Sequence, residues 1–462
     1  MKIRIIISIM MVVSALHAQN ERVLSISEYL GIVREHHPMI YKSELVRDFA
    51  DANELMSRGS FDPKLGVTWD QKAFQEKNYY SIFNGGVKIP TWYAVDLKAG
   101  YDWNSGVFLD DSENLPSNGL IYGGVSIPLG QGLLIDERRT EVRKAQVFVQ
   151  SSIQEQRILL NELIYNALDR YIDWQEAFFN LQIAEEGVEL ARIRLQGSIS
   201  SFRNGDIPAI DTLEAFISLQ SRQIEQSEAE QNLIKTRLGL NNFLWIQGDI
   251  PLELEPFIQP TPINFNYLEA ASDSLVLVQD EFLAQHPELL QYEYKIESLD
   301  IEERLNREFL KPDLRLDYNP LYQAGTDFQP IENYKLGISA AYPLLQRKAR
   351  GKLRMTRVKL QDTYYDFSLK RQDLQVKLET YYNLQRQLEE QNVITADAVV
   401  NYRRLLEAEN RKFEIGESSI FLINSREIKY LESRYKLIQG QSKLIKSRLI
   451  YLLLSGLINQ VV

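Results

Sequence analysis

The side chains best suited to chemistry in this 462-residue chain are its four histidines, His17, His36, His37 and His286. A transition-metal site needs three or four ligands converging on one point, drawn from His, Cys and carboxylates. His36 and His37 are adjacent, so they cannot both point the same way on a helix. The chain has no cysteine, which removes thiolate ligands, disulfides and lipid attachment through an N-terminal cysteine. The histidines are therefore assigned structural roles, and no metal or cofactor is expected. Gly130-Gln131-Gly132 lacks the third glycine and the parallel βα context of a dinucleotide loop. No nucleophile, base and orienting acid share a workable spacing. The many carboxylates fall on polar helix faces, where solvation is the default. The chain is expected not to be an enzyme.

Composition narrows the remaining classes. Acidic residues number 63 against 52 basic ones, a formal net charge of −11. That balance disfavours a nucleic-acid partner, which clustered Lys and Arg would have to hold. Hydrophobic residues at 44% and charged residues at 25% are those of a folded chain. Lys2 and Arg4, an apolar run from Ile5 to Leu16 and the small Ala18 read as a secretory signal peptide cleaved after Ala18. The run is shorter than the roughly 20 residues that span a bilayer. Removing it leaves 50 basic and 63 acidic residues, a charge of −13. No later apolar run is long enough for a membrane helix, so insertion into a membrane has to be by strands.

What positions these residues is a long periodic helix. Thr140 to Asn204 contains no proline, and Ile153, Leu160, Ala167, Trp174, Leu181, Val188 and Leu195 fall one heptad apart. Ile164, Tyr171 and Phe178 sit four residues after three of them, which makes a coiled-coil seam. At 1.5 Å per residue such a helix is roughly 100 Å long and needs other long helices beside it. Phe367, Leu374, Tyr381, Leu388 and Tyr402 carry a second seam, interrupted at Thr395.

The chain is written twice. A helix from Ser27, its expected N-cap, to Gly59, its expected stop, has His37-Pro38 near its start and Pro63 twenty-five residues after Pro38; His286-Pro287 and Pro312 repeat that spacing. After each second proline the apolar residues alternate, as Leu65, Val67 and Trp69 and again as Leu314, Leu316 and Tyr318, which predicts strands with one polar face. Partner strands follow around Ile121 to Ile127 and Tyr334 to Ala340, ending at Pro128 and Pro343 before the long helices. Gly205 and Gly416 then end those helices, and returning helices run from about Ala209 to Trp245 and Ile420 to Leu457. The expected organisation is signal peptide 1–18, first repeat 19–248, connector 249–265 and second repeat 266–462. Strands are expected at about 64–128 and 313–343, helical hairpins at about 132–246 and 345–457.

The first repeat holds an additional segment from about Asn78 to Asn118, in which Val95, Leu97, Ala99, Tyr101 and Trp103 alternate with polar residues and glycine. Charges such as Asp96, Lys98, Arg315 and Asp317 on the polar faces, with many aromatics nearby, suit a membrane barrel with a wet lumen. One chain supplies about four strands, or six with the added segment, and a membrane barrel needs at least about eight. Three copies give about twelve or eighteen.

The duplicated order, the paired His-Pro and strand-entry prolines, and the stretch from Gly416 to Glu427 together resemble the TolC-type outer membrane factors, over essentially the whole mature chain. The resemblance implies an α+β membrane protein, a homotrimer whose outer-membrane β-barrel continues as a periplasmic α-helical barrel. It implies a passive channel of a tripartite efflux pump or type I secretion system in the bacterial outer membrane. Its partners would be a periplasmic adaptor (membrane fusion) protein and, indirectly, an inner-membrane RND-type or ABC-type transporter. The adaptor-docking hairpin tips would be Asn204, Gly205, Asp206 and Ile207, and Gly416, Glu417, Ser418 and Ser419. Asp211 and Glu214 stand where relatives place acidic residues that ring the periplasmic mouth; Leu422 and Ser425 stand there in the second repeat. Ser418 replaces an arginine that helps hold the gate shut in some relatives. The alternative is an exported coiled-coil scaffold without channel activity, its strands forming a soluble cap.

Overall fold

The computed structural model describes residues 22–110, 112–247, 250–264 and 283–461. The expected signal peptide lies outside these residues, as do the ends of the expected connector and the first residues of the expected second repeat. The chain divides into two compact units, one made of Ser43–Arg157 and Ala284–Gln372, the other of the described parts of Met1–Lys42, Ile158–Leu283 and Asp373–Val462.

The first of these units carries a six-stranded sheet. Its strands are β2 (Lys64–Phe74), β3 (Lys77–Pro90), β4 (Asp96–Ser105), β5 (Leu120–Pro128), β9 (Asp313–Tyr322) and β10 (Tyr334–Ala341). The order is β10-β9-β5-β4-β3-β2, and every neighbouring pair is antiparallel. The β5–β9 ladder joins the two repeats through pairs such as Val125 with Tyr318 and Ile127 with Leu316. The added segment supplies β3 and β4, which turn over Thr91 to Val95, where the Thr91 amide and hydroxyl both donate to the Val95 carbonyl. The tight turn between β2 and β3 uses Gln75 and Glu76 at φ of +50° and +58°.

The other unit is helical, with two short strand pairs, β1 (Val23–Leu24) with β8 (Gln259–Pro260) and β6 (Trp245–Ile246) with β7 (Ile250–Pro251). Helix α1 (Ile26–His36) is capped by Ser25, which accepts from the Glu28 amide, rather than by Ser27. Helix α2 (Pro38–Arg58), which belongs to the first unit from Ser43 on, follows after a break at His37, whose backbone is extended at φ −69° and ψ 131°. The expected single helix is thus divided, because a residue before proline is driven out of the helical region. Gly59 does not stop it outright; a 3-10 turn, Gly59–Phe61, continues to Asp62.

Helices α3 (Glu137–Asn204) and α6 (Arg347–Glu414) are each 68 residues long. They return as α4 (Ala209–Asn241) and α7 (Ile420–Leu454), while α5 (Pro287–Glu308) precedes β9. The seam residues Ala167, Tyr171, Trp174 and Val188 are buried, as are Leu374 and Leu388 in the second seam. Tyr171 links this core to its surroundings: its ring lies 5.5 Å from that of Tyr29, and its hydroxyl donates to the Leu24 carbonyl at 2.6 Å. The proline-dense connector docks here, since Gln175 donates to the Thr261 carbonyl at 2.7 Å. Among the described residues no helix is long and apolar enough to cross a membrane.

Candidate functional site: the polar strand face and the two hairpin turns

Register fixes which side chains share each face of the sheet, because the side-chain period of a strand is two. Leu65, Val67 and Trp69 of β2 lie opposite Val87, Gly85 and Phe83 of β3. Those in turn lie opposite Ala99, Tyr101 and Trp103 of β4. The same face continues through Val125 and Ile121 of β5, Tyr318 and Leu316 of β9, and Leu336 and Ile338 of β10. One apolar face therefore crosses all six strands.

The opposite face is charged and engaged with itself. Lys88 and Lys98 sit directly opposite each other on β3 and β4, a pairing that is unfavourable alone. Carboxylates relieve it: Asp96 takes Lys88 at 2.9 Å and Arg138 at 2.8 Å, and Asp317 takes Lys98 at 2.7 Å. The glycines of this face make room for an aromatic ring. Tyr122 of β5 leans across β4 and β3 so that its hydroxyl lies 2.5 Å from a Cβ built on Gly100 and 2.7 Å from one built on Gly86.

Along β4 and β5 exposure runs opposite to that of a soluble sheet, while both faces of the edge strands β2 and β10 are open. Asp96 is 4% exposed while the adjacent Leu97 is 43% exposed, and Ser126 is buried while Trp69 and Ile338 are 65% and 72% exposed. In water an apolar face would be the covered one.

The hairpin turns between α3 and α4 and between α6 and α7 are built alike. Gly205 at φ +83° and Gly416 at φ +79° occupy the left-handed region. The Gly205 amide donates to the Phe202 carbonyl and the Asp206 amide to that of Ser201, while Gly416 and Glu417 donate to Phe413 and Lys412. These paired bonds are the Schellman closure, which satisfies carbonyls that the helix end leaves open. Asn204, Gly205 and Asp206 are exposed, as are Gly416, Glu417 and Ser419, whereas Ile207 and Ser418 are half-buried. Ser419 caps α7 by accepting from the Leu422 amide.

Ser418 is not idle. Its hydroxyl donates to Glu409 at 2.6 Å, and Arg426 reaches the other oxygen of that carboxylate at 3.4 Å. The Ser418 bond first, and the Arg426 guanidinium after it, hold the Glu409 carboxyl below its usual range. A second charged cluster lies deeper. Glu427 of α7, 1% exposed at its side chain, bonds Arg194 of α3 and faces Arg222 of α4 at 4.0 Å. Arg194 also donates to Asn424 at 2.6 Å. Sequence reasoning missed both clusters, since it assigned carboxylates on helix faces to solvent.

Asp211 and Glu214 are both half-buried. Glu214 borders a groove of about 780 Å³ between α4 and α7, with Ser425 on its other wall. Asp211 and Leu422 do not line that groove.

Two of the histidines act as caps. His37 and His286 each accept, at Nδ1, the amide two residues on, Met39 at 3.1 Å and Glu288 at 3.3 Å. His37 stacks on Phe243, and its burial pushes the imidazole below its usual value despite a backbone contact at Asn242 that works the other way. Gly130 has a packing role. A Cβ on Gly130 would fall 2.2 Å from the Pro312 carbonyl oxygen, to which the Gln131 amide donates at 2.8 Å.

Residues 278–449 match the family model of outer membrane efflux proteins. The second half of the chain thus carries an outer membrane efflux protein domain, as the resemblance to TolC-type factors expected. The fold of nearly the whole chain agrees. It is similar to the Campylobacter jejuni CmeC outer membrane channel, at 12% identity and a TM-score of 0.65, over 93% of this chain and 85% of that one. It is similar to the Vibrio cholerae outer membrane protein VceC, at 11% identity and 0.64, over 93% and 96%. The open-state Neisseria gonorrhoeae MtrE outer membrane channel gives 12% and 0.66, over 96% and 94%. No curated protein sequence matches the chain.

Proposed function

We propose that three copies of this chain form a passive efflux channel, with the sheets closing a barrel in the outer membrane and the long helices a duct in the periplasm. One observation carries this reading: along β4 and β5 the charged and polar face is the more covered one, and the apolar face lies open. Such a sheet is stable in lipid, with the charges turned to a wet lumen. Neither sheet edge can remain open there, because lipid offers no partner for backbone N–H and C=O groups. The scaffold alternative would turn the charges outward. The duct serves a tripartite pump or a type I secretion system, and its energy comes from an RND-type or ABC-type transporter in the inner membrane. Asn204 to Ile207 and Gly416 to Ser419 dock a periplasmic adaptor, and Asp211 and Glu214 ring the mouth.

Fractionation and mass test this. The mature protein should need detergent for release from outer membranes and should run as a trimer in that detergent. Release as a monomer by osmotic shock alone would overturn the channel.

A further inference from the structure

We infer that the hairpin β2–β3 is part of the barrel wall, so that β2 of each copy pairs with β10 of the next and three copies close an eighteen-stranded barrel. The inference rests on the trimeric channel proposed above and adds the identity of its closing edges. Three observations on one sheet lead to it.

First, the hairpin obeys the same inside and outside as the strands beyond it. Its apolar residues Leu65, Val67 and Trp69 share the face of Tyr101, Tyr318 and Ile338, while Lys88 lies on the face of Lys98 and Asp317. A hairpin standing away from the wall would carry Lys64, Asp70 and Lys72 into hydrocarbon or headgroups with no lumen to receive them. Second, the inner face interlocks across the junction. Tyr122, on β5, lies over Gly100 of β4 and Gly86 of β3, so the ring spans from β5 to the hairpin β2–β3. Ten consecutive residue pairs, Ser81 with Ser105 through Pro90 with Asp96, join β3 to β4. Third, the two free edges suit each other. The sheet has an even number of strands in strict alternation, so β2 and β10 run in opposite directions and would meet antiparallel. With the strands flush at Lys64 and Ala341, Val67 falls opposite Ile338, Trp69 opposite Leu336 and Asp70 opposite Lys335, which matches apolar to apolar and acid to base.

Barrel diameter grows roughly in proportion to strand number. Eighteen strands therefore make a barrel about 1.5-fold wider than twelve, with about twofold the enclosed area. The two strands that each copy holds beyond four set the bore of the exit.

The test uses the full-length trimer purified in detergent, whose lack of cysteine lets introduced pairs report alone. Thr68→Cys with Gly337→Cys, and the same Thr68→Cys with Lys335→Cys or Ser339→Cys for neighbouring registers, should give covalent dimers and trimers on denaturing gels. The two edges are five strands apart within one copy, beyond the reach of a disulfide. An electron cryomicroscopy map of the unmodified trimer should show eighteen strands. A trimer with twelve strands and no cross-link between β2 and β10 overturns this inference and leaves the channel standing. A monomer overturns both.

Discussion

Arg194 of α3 and Glu427 of α7, 233 residues apart in sequence, form an ion pair in which the carboxylate side chain is 1% exposed. The pair ties the first helical hairpin to the second. Arg222 of α4 faces the same carboxylate, so three helices converge on one buried charge. Removing one partner of such a cluster leaves the others buried without compensation.

Glu427→Ala should therefore lower stability by about 3–5 kcal/mol, because Arg194, 13% exposed at its side chain, loses its counter-charge and Arg222, 8% exposed, keeps only the half-exposed Glu225. The thermal transition of the helical circular dichroism signal measures this. Glu225→Ala, which removes only the half-exposed partner of Arg222, should cost under about 1 kcal/mol. Equal transitions for the two variants would contradict the assignment.

The Ser418–Glu409–Arg426 cluster predicts a pH response at the second hairpin turn. A carboxyl held below its usual range in the folded state contributes stability that is present above the ordinary value, about 4.3. That contribution is lost as pH falls through the lowered folded value. Hydrogen exchange at Gly416 and Glu417 should accelerate in acid for this reason, and Ser418→Ala should move the acceleration to higher pH. An unchanged profile in the variant would show that the Ser418 hydroxyl does not hold Glu409.

Gly130→Ala should destabilise the junction after β5 by about 1–3 kcal/mol, since its methyl group would collide with the Pro312 carbonyl. Gly123→Ala on β5 meets nothing within 4 Å and serves as the comparison. The temperature at which the oligomer dissociates in detergent should fall for the first variant and hold for the second.

The hairpin turns make a prediction about export rather than stability. Glu417→Lys together with Asp206→Lys reverses two exposed charges without touching the glycines that close the helices. Oligomer yield should be unchanged, while cross-linking to the periplasmic adaptor and export activity should both fall at least tenfold. Full export with both charges reversed would place the docking surface elsewhere.

Much of this architecture can be read from spacing alone. Periodicity marks α3 and α6, and the glycines at 205 and 416 mark their ends, because helical seams and left-handed turns are local properties. Leu97 to Trp103 likewise show β4 by strict alternation. Sheet order is different: that β5 pairs with β9, and that β2 rather than β4 forms the edge, depends on contacts nearly two hundred residues apart. The buried pair Arg194–Glu427 was illegible for the same reason, since each residue by itself sits on a helix in the pattern expected of a solvated charge. The break at His37 could have been anticipated from Pro38, but the apolar pattern runs through it and hides the change of direction.

The central claim is that the sheet is turned inside out, and a spin-label scan along β4 tests it most directly. Single cysteines from Asp96 to Ser105, labelled in the trimer reconstituted into lipid, should alternate with a period of two. Labels at 97, 99, 101 and 103 should relax preferentially with oxygen dissolved in the bilayer, and those at 98, 100, 102 and 104 with a water-soluble nickel chelate. Loss of the alternation, or the opposite phase, would contradict the account.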